Sequence, residues 1–125
     1  MPKYGDKFLD HFQHPRNAGT LTDPDGVATV SNPACGDTTK LQIRVIDGVI
    51  TEVRWQTHGC STAIAASSAA SEMIVGLPLS QAATISRQTI AEALGGLPPA
   101  KVHCSILAAD ALREAVADYR QRTAS

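Results

Sequence analysis

Three cysteines, Cys35, Cys60 and Cys104, are the residues of this 125-residue chain best suited to chemistry. Thiolates bind zinc and the iron of iron–sulfur clusters, and they attack the sulfur of disulfides and persulfides. The chain contains no Cys-x-x-Cys pair, so spacing alone is a weak indication of a metal site. An odd number of cysteines is typical of metal or sulfur chemistry, or of inert buried thiols, in a reducing compartment.

Each cysteine has a second candidate ligand close by in sequence, namely Asp37, His58 or His103 in chain order. Three thiolates with one imidazole or carboxylate would complete the four ligands that zinc or a cluster iron takes. A carboxylate makes a harder and weaker ligand set than a fourth sulfur, which favours a metal or cluster that is released. His58 is also interpreted as a solvated side chain, and Asp37 as a turn-stabilising residue.

All three cysteines fall at junctions between predicted elements. Cys35 lies beside Gly36, Cys60 lies where a strand gives way to a helix, and Cys104 lies at the entrance to the last helix. A thiol at the amino end of a helix faces the positive end of the helix dipole and unpaired N–H groups, which favours the thiolate. The alternative interpretation is that the thiols are small buried hydrophobes.

The elements that must position these residues are predicted from hydrophobic periodicity. Tyr4, Phe8 and Phe12 recur at helical spacing and predict a short first helix. Two histidines on that helix, His11 and His14, are interpreted as surface residues.

A predicted strand precedes Pro33, and a hairpin follows it. Apolar and polar residues alternate on both sides of the Asp-Gly dipeptide at positions 47–48, which predicts two antiparallel strands with one solvated face. The apolar face of the second hairpin strand is assigned to Val49, Val53 and Trp55.

After Gly59, small residues at steps of three and four predict a helix that ends near Gly76. Shorter helices are predicted from Ser80 and from a capping box at residues 89–92, and a last helix from near Ser105. Strands that come first and helices that follow favour an α+β fold. We expect a small antiparallel three-stranded sheet with helices packed mainly on one face.

Length and charge exclude several classes of protein. The chain is long enough for one domain, and its eleven basic and twelve acidic residues give a net charge of -1. This balance gives no electrostatic reason to expect a nucleic acid or an anionic membrane as partner. The charged amino terminus lacks the apolar core of a secretory signal, and no run approaches the roughly 18 apolar residues of a membrane span. A cytoplasmic location is expected.

The motifs, taken in order, resemble those of the NifU amino-terminal domain and the IscU scaffold proteins of iron–sulfur cluster assembly. The matching segments are DHFQHPRNAG, CGD, LQIRV, GC, AIAASS, LPPAKVHCSIL and AVADYR. The resemblance covers nearly the whole chain and identifies residues 1–125 as a single scaffold domain of this family.

The resemblance implies a set of site residues. Cys35, Cys60 and Cys104 would bind a transient 2Fe–2S cluster, with Asp37 and His103 as auxiliary metal ligands. Cys104 would accept persulfide sulfur from a cysteine desulfurase. The protein would then be a scaffold that takes up iron, holds zinc in some preparations, and passes the cluster to apo iron–sulfur proteins, and not an enzyme.

The resemblance also implies a chaperone-binding segment. In the IscU branch an LPPVK segment is bound by an Hsp70-type chaperone, with its J-protein co-chaperone, to prompt cluster release. The corresponding residues here are Leu97, Pro98, Pro99, Ala100 and Lys101. Ala100 offers less apolar area than valine, so weaker chaperone binding is expected, although a proline-stiffened segment costs little entropy to bind.

Two other functions are weighed against the scaffold. One is a zinc-dependent sulfurtransferase of the SufU type, which relays sulfur without building a cluster. That branch typically has an insertion before the third cysteine and lacks the preceding histidine, whereas this chain lacks the insertion and has His103. The other is a small zinc-stabilised interaction domain, in which replacement of Cys104 would unfold the protein.

Overall fold

The computed structural model describes residues 6–32, 36–96 and 105–124. Within these ranges the chain forms three strands and five helices. They are α1 (Asp6–Gln13), β1 (Gly26–Asn32), β2 (Asp37–Ile46), β3 (Val49–His58), α2 (Ser61–Ile74), α3 (Leu79–Ala82), α4 (Arg87–Ala93) and α5 (Ile106–Ala124). None of the helices in the described ranges is long and apolar enough to cross a membrane.

The strands form one antiparallel sheet in the order β1-β2-β3. Asp47 and Gly48 join β2 to β3, and both have positive φ angles, of 53° and 76°. A two-residue hairpin turn of this kind needs positive φ at both positions, which is why the Asp-Gly dipeptide is a strong turn signal. The predicted α+β fold with a three-stranded antiparallel sheet is confirmed.

The hairpin contains one irregularity that simple alternation does not predict. A β-bulge shifts the register between Arg44 and Val45, and Val45 then pairs with Ile50. Ile50 is completely buried, whereas Val49 is only half-buried. The assignment of Val49 to the apolar face is therefore wrong, because the extra residue exchanges the two faces of β3 at this end.

The helices pack on one face of the sheet. α5 covers β1 and β2, while α2 covers β3 and also contacts α1, α4 and α5. The main hydrophobic cluster joins the strands to α5, and a second cluster joins α1, α2, α4 and α5. The last helix, predicted from near Ser105, is α5, and its residues Ala108, Leu112, Ala115 and Val116 are buried.

Small side chains form nearly all of the packed face of α2. Its buried residues are Thr62, Ala63, Ala65, Ala66, Ser67, Ser68, Ala69, Ala70, Ser71 and Ile74. Alanine and serine allow close approach, but their side chains are too small to interlock with those of a neighbouring element. Directional hydrogen bonds from the serines therefore contribute to the placement of this helix.

The capping box at residues 89–92 is not the start of a helix. Ser86 is the N-cap of α4, and its hydroxyl accepts a hydrogen bond from the Thr89 N–H at 3.2 Å. Serine and threonine three residues apart are both good cap residues, so the sequence alone does not choose between them. The helix predicted from Ser80 is the single turn α3, which begins one residue earlier.

The two outer edges of the sheet are covered in different ways. At β3, the Trp55 N–H donates to the Asn17 carbonyl at 3.1 Å, and the Gly19 N–H donates to the Trp55 carbonyl at 2.9 Å. At β1, the Val27 N–H donates at 2.9 Å to the Asp118 carboxylate of α5. A loop thus covers one edge and a helix side chain covers part of the other.

α1 packs on α2 through Phe8, which is buried as predicted. Phe12, assigned to the same face, is 41% exposed, and Tyr4 lies outside the described residues. His11 is only 7% exposed, so its interpretation as a surface residue is wrong. Histidine is as compatible with a partly polar interior as with the surface, and here Ser68 supplies a partner: its hydroxyl lies 2.8 Å from His11 Nδ1.

We expect the free energy of unfolding to decrease as the pH falls below about 6.5. Burial, followed by the nearby Arg16 cation, lowers the pKa of His11 below its ordinary value of 6.5, which Glu72 only partly opposes. The unfolded chain therefore binds this proton at a higher pH than the folded chain. The contribution of neutral His11 is fully present above pH 6.5 and is lost as the pH falls toward the folded-state pKa.

Urea unfolding at about pH 7.5 and about pH 5.5 measures this dependence. His11→Gln should flatten it, whereas His14→Gln, at an exposed position of the same N-terminal segment, should leave it unchanged. An equal pH dependence in the wild type and in His11→Gln would contradict the assignment.

Candidate functional site

The structure describes three of the predicted site residues, Asp37, His58 and Cys60. The remaining predicted site residues lie outside the described residues, and they are Cys35, His103, Cys104, Leu97, Pro98, Pro99, Ala100 and Lys101. In the described part of the chain, no three His, Cys, Asp or Glu side chains lie close enough together to hold a metal ion. Two of the three described residues are nevertheless in contact.

Cys60 is the N-cap of α2, at the junction where the sequence places it. Its backbone is extended, with φ of -73° and ψ of 167°, and its carbonyl accepts a hydrogen bond from the Ile64 N–H at 3.1 Å. The side chain is half-buried. The sulfur therefore lies at the amino end of a 14-residue helix, where first-turn N–H groups favour negative charge.

Asp37 is the first residue of β2 and faces the helices. It pairs with Asn32 of β1, and the preceding residue, Gly36, has φ of 72°. Glycine adopts this left-handed conformation without the steric cost of a Cβ atom, so Gly36 allows the chain to enter β2 in this direction. The Asp37 side chain is 5% exposed. A carboxylate so deeply buried is costly without a polar partner.

The Cys60 thiol supplies a polar contact for that carboxylate. Its Sγ donates to Asp37 Oδ2 at 3.7 Å, a long contact that is acceptable for sulfur. The arrangement places one soft sulfur ligand and one hard oxygen ligand side by side at the entrance of a helix.

Gly59 allows this contact by close approach. A Cβ atom at Gly59 would lie 2.5 Å from both Cγ and Oδ1 of Asp37. Real Cβ atoms essentially never come so close to another atom, and the buried carboxylate has little room to move. Glycine is therefore required at this position by the space that the Asp37 side chain occupies, and not by a left-handed backbone.

A line of hydroxyl groups lies one step along the sheet from the pair, two residues beyond Asp37 on β2 and two residues before Gly59 at the end of β3. Thr39 Oγ1 of β2 lies 3.0 Å from Thr57 Oγ1 of β3, and Thr57 Oγ1 lies 2.7 Å from Ser67 Oγ of α2. Ser67 in turn donates to the Ala63 carbonyl at 2.9 Å. These contacts join β2, which carries Asp37, to β3 and to α2, at whose amino end Cys60 lies.

His58 does not take part in this arrangement. It follows Thr57, whose side chain bonds to α2, so strand alternation places His58 on the opposite face of the sheet. The side chain is exposed, as the solvated interpretation predicts.

Sequence reasoning missed the parts played by Gly59 and by the hydroxyl line. The signal for Gly59 is a glycine directly before a cysteine at a strand-to-helix junction. The signal for Thr39 and Thr57 is a hydroxyl at an inward-facing position of a strand, where an apolar residue is usual. The sequence does not show that these two threonines contact each other, because the contact depends on the register in which β2 pairs with β3.

Comparisons with known proteins give a consistent result. The family described as NifU-like N terminal domain matches residues 3–125 of the chain. The iron-sulfur cluster assembly scaffold protein IscU 1 of Archaeoglobus fulgidus is 55% identical over 116 residues, which cover 93% of this chain and 76% of that protein. The scaffold protein IscU of Escherichia coli strain K12 is 47% identical over 123 residues, which cover 95% of each chain.

A solved structure agrees with the architecture. The N-terminal part of a nitrogen-fixing NifU-like protein from Brucella abortus superposes with a TM-score of 0.80 and covers 96% of both chains. The sequence identity is 19%, so this likeness supports the fold alone.

Proposed function

The chain belongs to the NifU-like N terminal domain family, and we propose that it is a scaffold on which an iron–sulfur cluster is built and from which the cluster is transferred. Relatives 55% and 47% identical to it carry the name of such scaffolds. Within this chain, the observation that carries the proposal is the contact between the Cys60 thiol and the buried Asp37 carboxylate. Residues 1–125 form the scaffold domain in this proposal.

The cluster is the cargo of the protein, and we assign it a 2Fe–2S composition. Its ligands are the thiolates of Cys35, Cys60 and Cys104, with Asp37 and His103 as exchangeable ligands. Thiolates bind cluster iron tightly, whereas a carboxylate is harder and is displaced more easily. A mixed set of this kind suits a protein that has to release what it builds. The same residues also suit zinc, which accepts sulfur, nitrogen and oxygen ligands.

Sulfur enters through Cys104 in this proposal. The Cys104 thiolate attacks the outer sulfur of a persulfide on a cysteine desulfurase. A new S–S bond forms on Cys104 while the S–S bond of the donor breaks, and the donor cysteine leaves as a thiolate. Each sulfur then needs two electrons from a reductant to become the sulfide of the cluster. The chain itself acts as carrier and not as enzyme.

The other partners follow from the release step. The segment Leu97–Lys101 is the proposed contact for an Hsp70-type chaperone and its J-protein, and apo iron–sulfur proteins are the proposed recipients. The cysteines have to stay reduced to bind iron and to accept sulfur, and a reducing compartment keeps thiols in that form, so we place the reaction in the cytoplasm.

Anaerobic reconstitution tests the proposal. Wild type and Cys104→Ser are each incubated with ferrous iron, cysteine, a cysteine desulfurase and dithiothreitol, and visible absorption, iron and acid-labile sulfide are then measured. We expect the wild type to acquire a labile iron–sulfur chromophore with equal iron and sulfide, and the variant to lose most of it while circular dichroism shows the same fold.

Two other outcomes would overturn the proposal. Stoichiometric zinc, a persulfide on the chain and no chromophore would establish a sulfurtransferase of the SufU type. Unfolding of Cys104→Ser, together with a wild type that takes up neither sulfur nor iron, would establish a zinc-stabilised interaction domain.

A further inference from the structure

We propose that the hydroxyl line of Thr39, Thr57 and Ser67 positions the Asp37 carboxylate against the Cys60 thiol and thereby sets how fast the site exchanges its metal. This inference rests on the proposed function, because it assigns the three hydroxyls a role toward residues that hold the cargo. None of them is proposed as a ligand; they act through Asp37 and Cys60.

The hydrogen bonds of the line run in one direction. The Ser67 hydroxyl uses its single proton on the Ala63 carbonyl, so its oxygen accepts the proton of Thr57. The Thr57 oxygen then accepts the proton of Thr39. Thr39 is completely buried and Ser67 is 1% exposed, whereas Thr57 between them is half-buried, so the two ends of the line are closed to water.

The line lies one step along the sheet from the site. Thr39 follows Asp37 by two residues on the same face of β2, a distance of roughly 7 Å. Thr57 is the direct partner of Thr39 in the sheet and precedes Gly59 by two residues. Any shift of one strand end against the other therefore moves the Asp37 carboxylate relative to Gly59 and Cys60.

α2 needs such contacts because its packed face consists of small residues. Ser68 and Ser71 bond to the segment at Arg16 and Asn17, since Ser68 Oγ accepts the Arg16 N–H and Ser71 Oγ accepts the Asn17 side-chain N–H. Ser67 bonds to the sheet through Thr57 instead. The three serines therefore fix α2 in two directions, and the Ser67 contact is the one directed to the strands that carry the site.

A purely structural role would also explain two buried hydroxyls and a half-buried one, so the test needs a readout that stability alone does not change. Thr57→Val keeps the shape of the side chain and removes the central hydroxyl. Thr57→Ser keeps the hydroxyl and is the rescue variant. Thr38→Val is the matched control, because Thr38 lies between Asp37 and Thr39 on β2 and its hydroxyl pairs with Ser31 at 3.2 Å at an exposed position.

Cobalt(II) is the probe. The metal-loaded full chain is mixed with excess chelator, the loss of thiolate-to-cobalt absorption gives the dissociation rate, and thermal unfolding of the metal-free chain gives stability. We expect Thr57→Val to dissociate cobalt about tenfold faster, with an altered d–d band, because the Cys60 thiolate loses its orientation together with Asp37; tenfold is the lower end of the effect known for groups that orient metal ligands. Thr57→Ser and Thr38→Val should stay within about twofold of the wild type.

A Thr57→Val chain that is less stable but releases cobalt at the wild-type rate, with an unchanged d–d band, would overturn the inference. If Thr57→Val does not fold, the same two measurements are made on Ser67→Ala. This variant removes the hydrogen bond between Thr57 and α2 and leaves the contact between Thr39 and Thr57 intact. Wild-type protein that shows no thiolate-to-cobalt absorption and builds no cluster would instead overturn the proposed function.

Discussion

Gly59→Ala is expected to weaken cobalt binding by about 100-fold, the upper end of the effect of groups that orient metal ligands, because it disturbs both Asp37 and Cys60. The new Cβ would lie 2.5 Å from Cγ and Oδ1 of Asp37 and 2.9 Å from its Cβ. Since Asp37 is buried, the carboxylate has to leave its place or α2 has to move away from the sheet. Overpacking of this kind also lowers the free energy of unfolding by about 1–3 kcal/mol.

Urea unfolding and cobalt titration of the same preparation measure the two effects. The matched control is Gly76→Ala, at the other end of α2, where φ is 90° and no atom lies within 4 Å of a new Cβ. It should lose stability through backbone strain and keep its affinity for cobalt. In the double variant Asp37→Ala/Gly59→Ala the contacts with the carboxylate are absent and only the 2.9 Å contact with the Cβ of residue 37 remains, so its stability loss should be smaller than the sum of the two single losses. Additive losses would show that Gly59 does not act through Asp37.

Asp37→Ala is expected to lengthen the lifetime of the cluster on the protein. In the proposed function Asp37 is the hardest and most easily displaced ligand, so its removal should slow the displacement of the cluster. We expect a reconstituted cluster to decay about tenfold more slowly and to transfer more slowly to an apo ferredoxin.

The decay of visible absorption after addition of a chelator measures this lifetime. Glu92→Ala removes an exposed carboxylate from α4 and controls for the change in net charge. Asp37→Asn keeps the shape of the side chain without its charge and should fall between wild type and Asp37→Ala. A cluster that decays in Asp37→Ala as fast as in wild type would remove the release role from Asp37.

The sequence predicts the sheet and its covering helices well, for local reasons. The Asp47-Gly48 turn needs positive φ angles that few other dipeptides tolerate, and strict alternation on both sides fixes two strands. The bulge at Val45 was not predictable, since it arises where the hairpin pairs and no residue type demands it. Burial of His11 depends on Ser68, which is 57 residues away along the chain.

The residue types of the candidate site can be predicted from the sequence, but only some of the contacts between them can. Cys60 at a strand-to-helix junction and Asp37 after a glycine are visible in the sequence, and the structure brings these two together. The necessity of Gly59 could not be derived from its neighbours in sequence, because the atoms that exclude a side chain belong to Asp37 on another strand. The roles of Cys35, His103 and Cys104, outside the described residues, stay predictions.

The way in which α5 covers the β1 edge has a consequence for the order of folding. The bond from the Val27 N–H to Asp118 joins residues 91 apart, and the bond from Arg122 to the Pro24 carbonyl joins residues 98 apart. Contacts between such distant residues form late and slow the folding of a domain. Until α5 has left the ribosome, the hairpin, β1 and α2 exist without the helix that covers β1 and β2. Until α5 is made, the nascent chain therefore presents an open strand edge and uncovered apolar surface, and both favour association with other chains.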